Sequence, residues 1–270
     1  MPEHILGVTK ILNWLLGKPA AALLALLHIQ PSNAEYPIPN HVAMELLVVI
    51  IAAILFRWLK TRLSVERPGG LQQCMEIIIT NPMGLGIRDL LESNVGHGGE
   101  KYLAMLGSIG IFVLMCNLIS LVPGLESPTA VVSVPFGCAI VVFVYYNWAG
   151  IRSHGPLGHG KHFLGPNIYM SPLMLPIELI SNAARLLSLT VRLWVNMFVS
   201  ELLYGIFLGL LLELFLFLGK INVTGYASVV FPLLIPVIFI ALHMFVAVLQ
   251  AFVFTILPVI YVAGAVREEH

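Results

Sequence analysis

The sequence predicts an all-α polytopic membrane protein, with about five membrane helices, an N-terminal interfacial helix, and a last pair of helices that are long and steeply tilted. Three observations lead there. Of the 270 residues, 59 % are hydrophobic and only 10 % are charged, where a soluble domain carries roughly 25 % charge. The apolar residues gather into runs long enough to cross about 30 Å of hydrocarbon. The few charges inside the last runs fall on helix faces, as expected where polar groups line a route through lipid. With 14 basic and 14 acidic residues the formal net charge is zero, so no global field draws nucleic acid or an acidic partner.

Taken in order, residues 5 to 29 contain the run PAAALLALLHI behind Lys10. Pro19 and His28 interrupt the run and no A-x-A site follows, so it reads as a short interfacial or partly inserted helix rather than a cleaved signal. The segment 1–40 is accordingly expected on the outer side or at the interface, and 41–270 as a membrane ion-channel domain. The first clear span is residues 44 to 60, MELLVVIIAAILFRWLK, closed by a basic cluster at Arg57, Lys60, Arg62 and Arg67. LQQCMEIIITNPMGLGIRDLL is amphipathic and NVGHGGEK marks a loop. The second span, 102 to 122, is stopped by Pro123 and Gly124, and a third covers about 130 to 149. A hydrophilic loop follows, GIRSHGPLGHGKHFLGPN, whose His154, His159 and His162 lack Cys or carboxylate partners at ligand spacing and read as solvated. Cys74, Cys116 and Cys138 form no CxxC pair and read as buried thiols.

The remaining apolar stretches, about 173 to 218 and about 225 to 264, would each run roughly 60 to 70 Å as helices. That exceeds the bilayer, so they must tilt, lie along it or break; Pro232, Pro236 and Pro258 offer bending points in the second. Lys and Arg placement sets the orientation. Arg57, Lys60, Arg62, Arg67, Arg88, Lys101, Arg152, Lys161 and Arg267 fall on one side, and only Lys10, Lys18 and Lys220 on the other. Positive residues collect in the cytoplasm, which puts the N-terminus outside and the C-terminus inside.

Arg185 and Arg192 belong to neither side, because both lie inside the fourth segment. Projected at about 100° per residue, Glu178, Arg185 and Asn196 fall within about 40° of Arg192, Asn182 at about 80°, and Glu201 near 180°. In the fifth segment His243, Gln250 and Tyr261 share a face. If Arg192 and Gln250 are level in antiparallel helices, Glu201 and His243 reach similar depth toward the outside, and Glu178 and Tyr261 toward the inside. The pattern is two titratable clusters separated by an arginine that stays protonated, its pKa exceeding about 12. Amide glue between helices competes as a reading of Asn196 and Gln250, and packing as a reading of Asn182, Arg185 and Tyr261.

PIELISNAARLLSLTVRLWVNMFVSELL, followed by HMFVAVLQAFVFTILPVIYV, resembles subunit a of the F-type ATP synthase, bacterial type, and NLISLVPGLESPT is similar to the same family. The resemblance covers about residues 40 to 270. It departs at Val195, where the family usually has glycine, and at Val199 and Ser200. It implies a stator proton-channel subunit, itself non-catalytic, whose two offset half-channels load and unload a carboxylate on the c-ring and so couple proton flow to rotation and ATP synthesis. By that resemblance Arg192 faces the ring carboxylate with Gln250 beside it, Glu201 and His243 line the outer half-channel, Glu178 lines the inner one, and Asn196 belongs to the same ion route. Partners would be c-ring subunits, peripheral stalk subunit b, the other ATP synthase subunits and the lipid bilayer, with no cofactor, metal or nucleic acid. The compartment would be a bacterial plasma (inner) membrane, which the lack of an Arg/Ser-rich transit peptide favours. A secondary ion transporter would show paired halves related by a repeat, and none is found. A membrane assembly scaffold would have no use for the charge at Arg192. No nucleotide loop, HExxH or GxSxG motif is present.

Overall fold

A computed structural model describes residues 5–26, 28, 30, 33, 35–81, 86–96, 98–122, 124–164, 171–220 and 226–266. Among the described residues eight α-helices follow one another: α1 (Gly7–Leu26), α2 (Asn40–Thr61), α3 (Gly70–Ile79), α4 (Ile87–Val95), α5 (Glu100–Leu118), α6 (Ser133–Leu164), α7 (Ser171–Lys220) and α8 (Tyr226–Val266). Two 3-10 turns, Ile119–Leu121 and Pro128–Ala130, join α5 to α6. No strand occurs among the described residues. Five helical stretches there are long and apolar enough to cross a membrane: Asn40–Thr61, Glu100–Leu121, Ser133–Gly155, Pro172–Phe217 and Val237–Val266. In lipid only such internally hydrogen-bonded segments satisfy the backbone.

The hydrophilic stretch after the third span differs from the sequence expectation. It is helical to Leu164, with a break at Gly155, whose φ of 73° suits glycine. The side chains of His159, His162 and Lys161 lie outside the described residues, as do that of Lys220 and the whole of Arg267. In α8 the helix runs unbroken through Pro232, Pro236 and Pro258. At 50 residues, α7 would be about 75 Å long if straight.

The chain forms two compact units. The first comprises Met1–Ala52, Leu114–Val131 and Trp194–Gln250; the second comprises Ala53–Val113, Val132–Leu193 and Ala251–His270. Between helices in lipid there is no hydrophobic drive, so close packing and polar ties hold such units together. In the first unit the ties are explicit. The Thr9 hydroxyl donates to Asn40 Oδ1 at 2.8 Å, and the Leu6 N–H to the same oxygen at 3.4 Å. Asn13 closes a two-way bond with the Ile38 backbone, at 3.0 Å through Nδ2 and 2.9 Å through Oδ1. The start of α1 is thereby fastened to the entry of α2.

In the second unit the Gln72 side chain brackets Ser64, accepting from its N–H at 3.1 Å and donating to its carbonyl at 3.0 Å, which folds the chain back after α2. Arg88 pairs with Glu92 at 3.1 Å and with Glu100 at the start of α5. The hydrogen bond that Arg88 donates to Glu92, then the charge of Glu100, raise the guanidinium pKa above its ordinary value; exposed as the three are, the pairs orient α4 more than they stabilise it. The tightest approach is at Gly110 of α5, where a Cβ would stand 2.3 Å from Thr255 Oγ1 of α8. Thr255 has no slack, because its hydroxyl already donates to the Ala251 carbonyl at 2.7 Å. Gly110→Ala is therefore expected to destabilise the protein by about 1–3 kcal/mol, read as a lower midpoint of thermal aggregation in detergent. Adding Thr255→Ala should recover most of the loss; a double variant no more stable than Gly110→Ala alone would dissociate the effect from this contact.

Candidate ion-translocation site

The first unit holds a polar cluster where the end of α5, residues 126–130, α7 and α8 converge. His243 of α8 is buried. Its Nε2 meets Ser120 Oγ at 2.9 Å and its Nδ1 meets Ser200 Oγ at 2.6 Å. The Ser120 hydroxyl hydrogen is committed to the Asn117 carbonyl at 3.0 Å. Ser120 Oγ must then accept from His243, which assigns the proton of the neutral ring to Nε2 and makes Nδ1 the acceptor of the Ser200 hydroxyl. The ring can thus take a second proton at Nδ1 if Ser200 turns its hydroxyl hydrogen away. Ser200 is the residue before Glu201.

Glu201 is half-buried, and its Oε1 accepts from the Ser127 backbone N–H at 3.1 Å. From Ser127 a hydroxyl chain leads inward. Ser127 Oγ lies 2.7 Å from Thr129 Oγ1 and 2.9 Å from the Cys116 carbonyl, and the Thr129 hydroxyl lies 2.6 Å from Asn117 Oδ1. Two hydroxyl hydrogens serve three contacts, so the chain can reverse its donor direction without moving a heavy atom. Asn117 Nδ2 donates to the Ala247 carbonyl of α8 at 3.2 Å. Glu201 and His243 therefore belong to one network, joined through Ser127, Thr129, Asn117 and Ser120 by hydrogen bonds to separate partners. Trp194 Nε1 donates to the Ala130 carbonyl at 3.0 Å and fixes α7 against this segment.

The second unit holds the other cluster. Glu178, Asn182 and Arg185, at positions i, i+4 and i+7 of α7, share one helix face. Asn182 is buried, and its Oδ1 receives the Tyr146 hydroxyl at 2.7 Å and Arg185 Nη1 at 3.4 Å. Its Nδ2 donates to the Glu178 carbonyl at 3.1 Å and to Glu178 Oε1 at 3.4 Å. Arg185 Nη2 stands 3.8 Å from Glu178 Oε1, and the guanidinium carbon lies 5.6 Å from the Tyr261 ring centre. Tyr146 and Tyr261 pack at 5.8 Å between centroids. Glu178 thus lies beside a cation of its own helix.

Arg192, also in the second unit, is exposed and among the described residues hydrogen-bonds only Ser188 Oγ, at 3.4 Å. It makes no ion pair among the described residues. An unpaired arginine in the middle of a membrane helix costs at least about 2.5–3.5 kcal/mol of insertion. Gln250 is buried and Asn196 half-buried, and neither makes a side-chain hydrogen bond among the described residues.

The structure thus gathers Glu201 with His243, and Glu178 with Asn182, Arg185 and Tyr261. Sequence reasoning overlooked Asn117, Ser120, Ser127, Thr129, Ser200 and Tyr146. Four of these lie in NLISLVPGLESPT, where small polar residues at the end of an apolar span were the available signal.

The family described as ATP synthase A chain matches residues 42–263. ATP synthase subunit a of Solibacter usitatus is 45 % identical over 234 residues, covering 87 % of this chain and 90 % of its own length. That of Koribacter versatilis is 37 % identical over 267 residues, covering 99 % of each. ATP synthase subunit a 3 of Pelobacter propionicus is 37 % identical over 249 residues, covering 92 % of this chain and 94 % of its own length. With the family matched across its membrane helices and relatives similar along nearly the whole sequence, the chain belongs to the ATP synthase subunit a family.

Proposed function

We propose that this chain is the stator channel of a rotary ATP synthase, with the Glu201–His243 network as the outer half-channel and the Glu178–Asn182–Arg185–Tyr261 cluster as the inner one. The observation that carries this reading is that each compact unit has its own titratable cluster, while Arg192 hydrogen-bonds neither. A proton entering from outside is taken by His243 or Glu201 and handed to a carboxylate on a c-ring subunit. Neutralised, that carboxyl tolerates hydrocarbon and rotates through it; ionised, it could not. On reaching the inner route it releases the proton toward Glu178. Arg192 attracts the carboxylate while it is charged and repels cations that would pass directly between the routes. A proton falling through 100 mV contributes about 2.3 kcal/mol to the torque.

In this reading the chain makes and breaks no covalent bond. It sits in a bacterial inner membrane with its N-terminus outside and its C-terminus in the cytoplasm. Residues 1–40 form an outer or interfacial segment and 41–270 the channel, with the c-ring and peripheral stalk subunit b as neighbours. Purification through an affinity tag on this chain should bring with it a ring of small two-helix subunits. Vesicles carrying the complex, stripped of its soluble catalytic head, should conduct protons until a carbodiimide modifies the ring carboxyls. Equal conduction by vesicles holding this chain alone would sink the proposal in favour of a self-contained transporter.

A further inference from the structure

Outside the two clusters, the first unit contains a cavity of about 190 Å³ whose lining includes Asn40, His41, Glu126 and Ser127. Two of these are titratable and neither belongs to the networks above. Ser127 joins the cavity to those networks, because its N–H donates to Glu201 at 3.1 Å. Glu126 lines the cavity and directly precedes Ser127, the residue that holds Glu201. The opposite wall is held by α1, whose Thr9 hydroxyl and the Leu6 N–H just before it both fix Asn40 Oδ1. At about 30 Å³ per molecule the space accommodates several waters, and its polar lining gives them partners.

We infer that this cavity is the outer mouth of the Glu201 route, with His41 and Glu126 as a proton-collecting pair that loads it. The inference rests on Glu201 serving the outer half-channel. Supply is the physical motive. At pH 7 free protons are present at about 10⁻⁷ M, so even encounter at about 10¹⁰ M⁻¹s⁻¹ brings only on the order of 10³ protons per second. An imidazole exchanges protons near neutral pH, and a neighbouring carboxylate raises the local cation concentration at a cleft mouth. The imidazolium of His41 gives one proton to cavity water, which passes one to Glu201 beyond Ser127. His41 is then recharged from the outer solution or through Glu126, and no electrons move. The α1 contact to Asn40 keeps the mouth open and in register with α2.

The test uses the complete ATP synthase complex in vesicles, comparing His41→Gln, Glu126→Gln and the double variant with Glu201→Gln. In weakly buffered medium the double variant should assemble normally and conduct protons about 10-fold more slowly, the low end of the range for lost electrostatic focusing. Raising imidazole buffer on the outer side should restore its flow, which a merely structural defect would not permit. Unchanged flow in weak buffer, or slow flow that added buffer leaves unmoved, would overturn the inference while Glu201→Gln still blocks conduction. Wild-type conduction by Glu201→Gln would instead remove the outer-route reading of Glu201, and this inference with it.

Discussion

Arg192→Ala is expected to abolish ATP-driven proton pumping by more than about 100-fold, equivalent to roughly 2.7 kcal/mol, while the complex still assembles. Both halves follow from the same observation. The guanidinium is exposed and among the described residues holds only Ser188 Oγ, at 3.4 Å, so its removal orphans no buried partner there and relieves the insertion cost of a charge. On the proposed mechanism, what disappears is the fixed cation that a ring carboxylate meets between its two routes. Without it, protons can pass from one route to the other without rotation, so passive leak should rise as pumping falls. Arg192→Lys is expected to pump poorly as well, since a compact ammonium cannot span a carboxylate with two parallel bonds. Quenching of a pH-sensitive dye in inverted vesicles reads pumping directly, and robust quenching by either variant would end the proposed role of Arg192.

Why that residue could be picked out of the sequence, and others could not, is a matter of what helical periodicity carries. A period of 3.6 residues fixes which side chains of one helix share a face, so Glu178, Arg185 and Arg192 were legible as a stripe on α7, and His243, Gln250 and Tyr261 on α8. The five spans were legible for the same kind of reason, since length and apolarity are local properties. Asn182 was the first to exceed that information. Its projection lay at the edge of the stripe, about 80° from Arg192, and Tyr146 of α6 reaches its Oδ1 at 2.7 Å, a partner that nothing local to α7 encodes. The serines were harder still. Ser120, Ser127 and Ser200 are small enough to pass as helix-packing residues, and their meaning lies in a histidine and a glutamate far away in sequence.

The helix limits follow the same division. Gly155, Gly158 and Gly160, with three histidines, read as loop by propensity, yet α6 continues to Leu164 because one break at Gly155, with φ 73°, absorbs the change of direction. Propensity is a weak prior against such context. Pro232, Pro236 and Pro258 suggested bending points; a helix can bend at proline while its run continues, and the α8 helix does continue across all three. A membrane helix tolerates proline where neighbouring groups can satisfy the freed carbonyl.

Exchanging the outer pair provides the second large effect. Glu201→Leu and His243→Leu should each reduce pumping to background, because each removes the only titratable group at its place in the network. Glu201→His combined with His243→Glu should retain clearly more activity than either exchange alone. The hydrogen bonds explain why the double exchange is tolerated. A carboxylate introduced at position 243 can accept from Ser200, which now flanks His243 at 2.6 Å, and from Ser120, at 2.9 Å, once that hydroxyl turns away from the Asn117 carbonyl. An imidazole introduced at position 201 can accept the Ser127 N–H that now donates to Glu201 at 3.1 Å. One proton acceptor of each kind is then restored to the network, whereas either single exchange leaves two alike. Cysteines placed at the two positions in otherwise cysteine-free protein should react with silver ion more readily from the outer face than from the cytoplasm. Should both prove reachable only from the cytoplasmic side, the proposed orientation and the outer assignment of Glu201 and His243 fall together. The assignment of Arg192 would survive, because it depends on an unpaired cation in α7 and not on which side the proton enters.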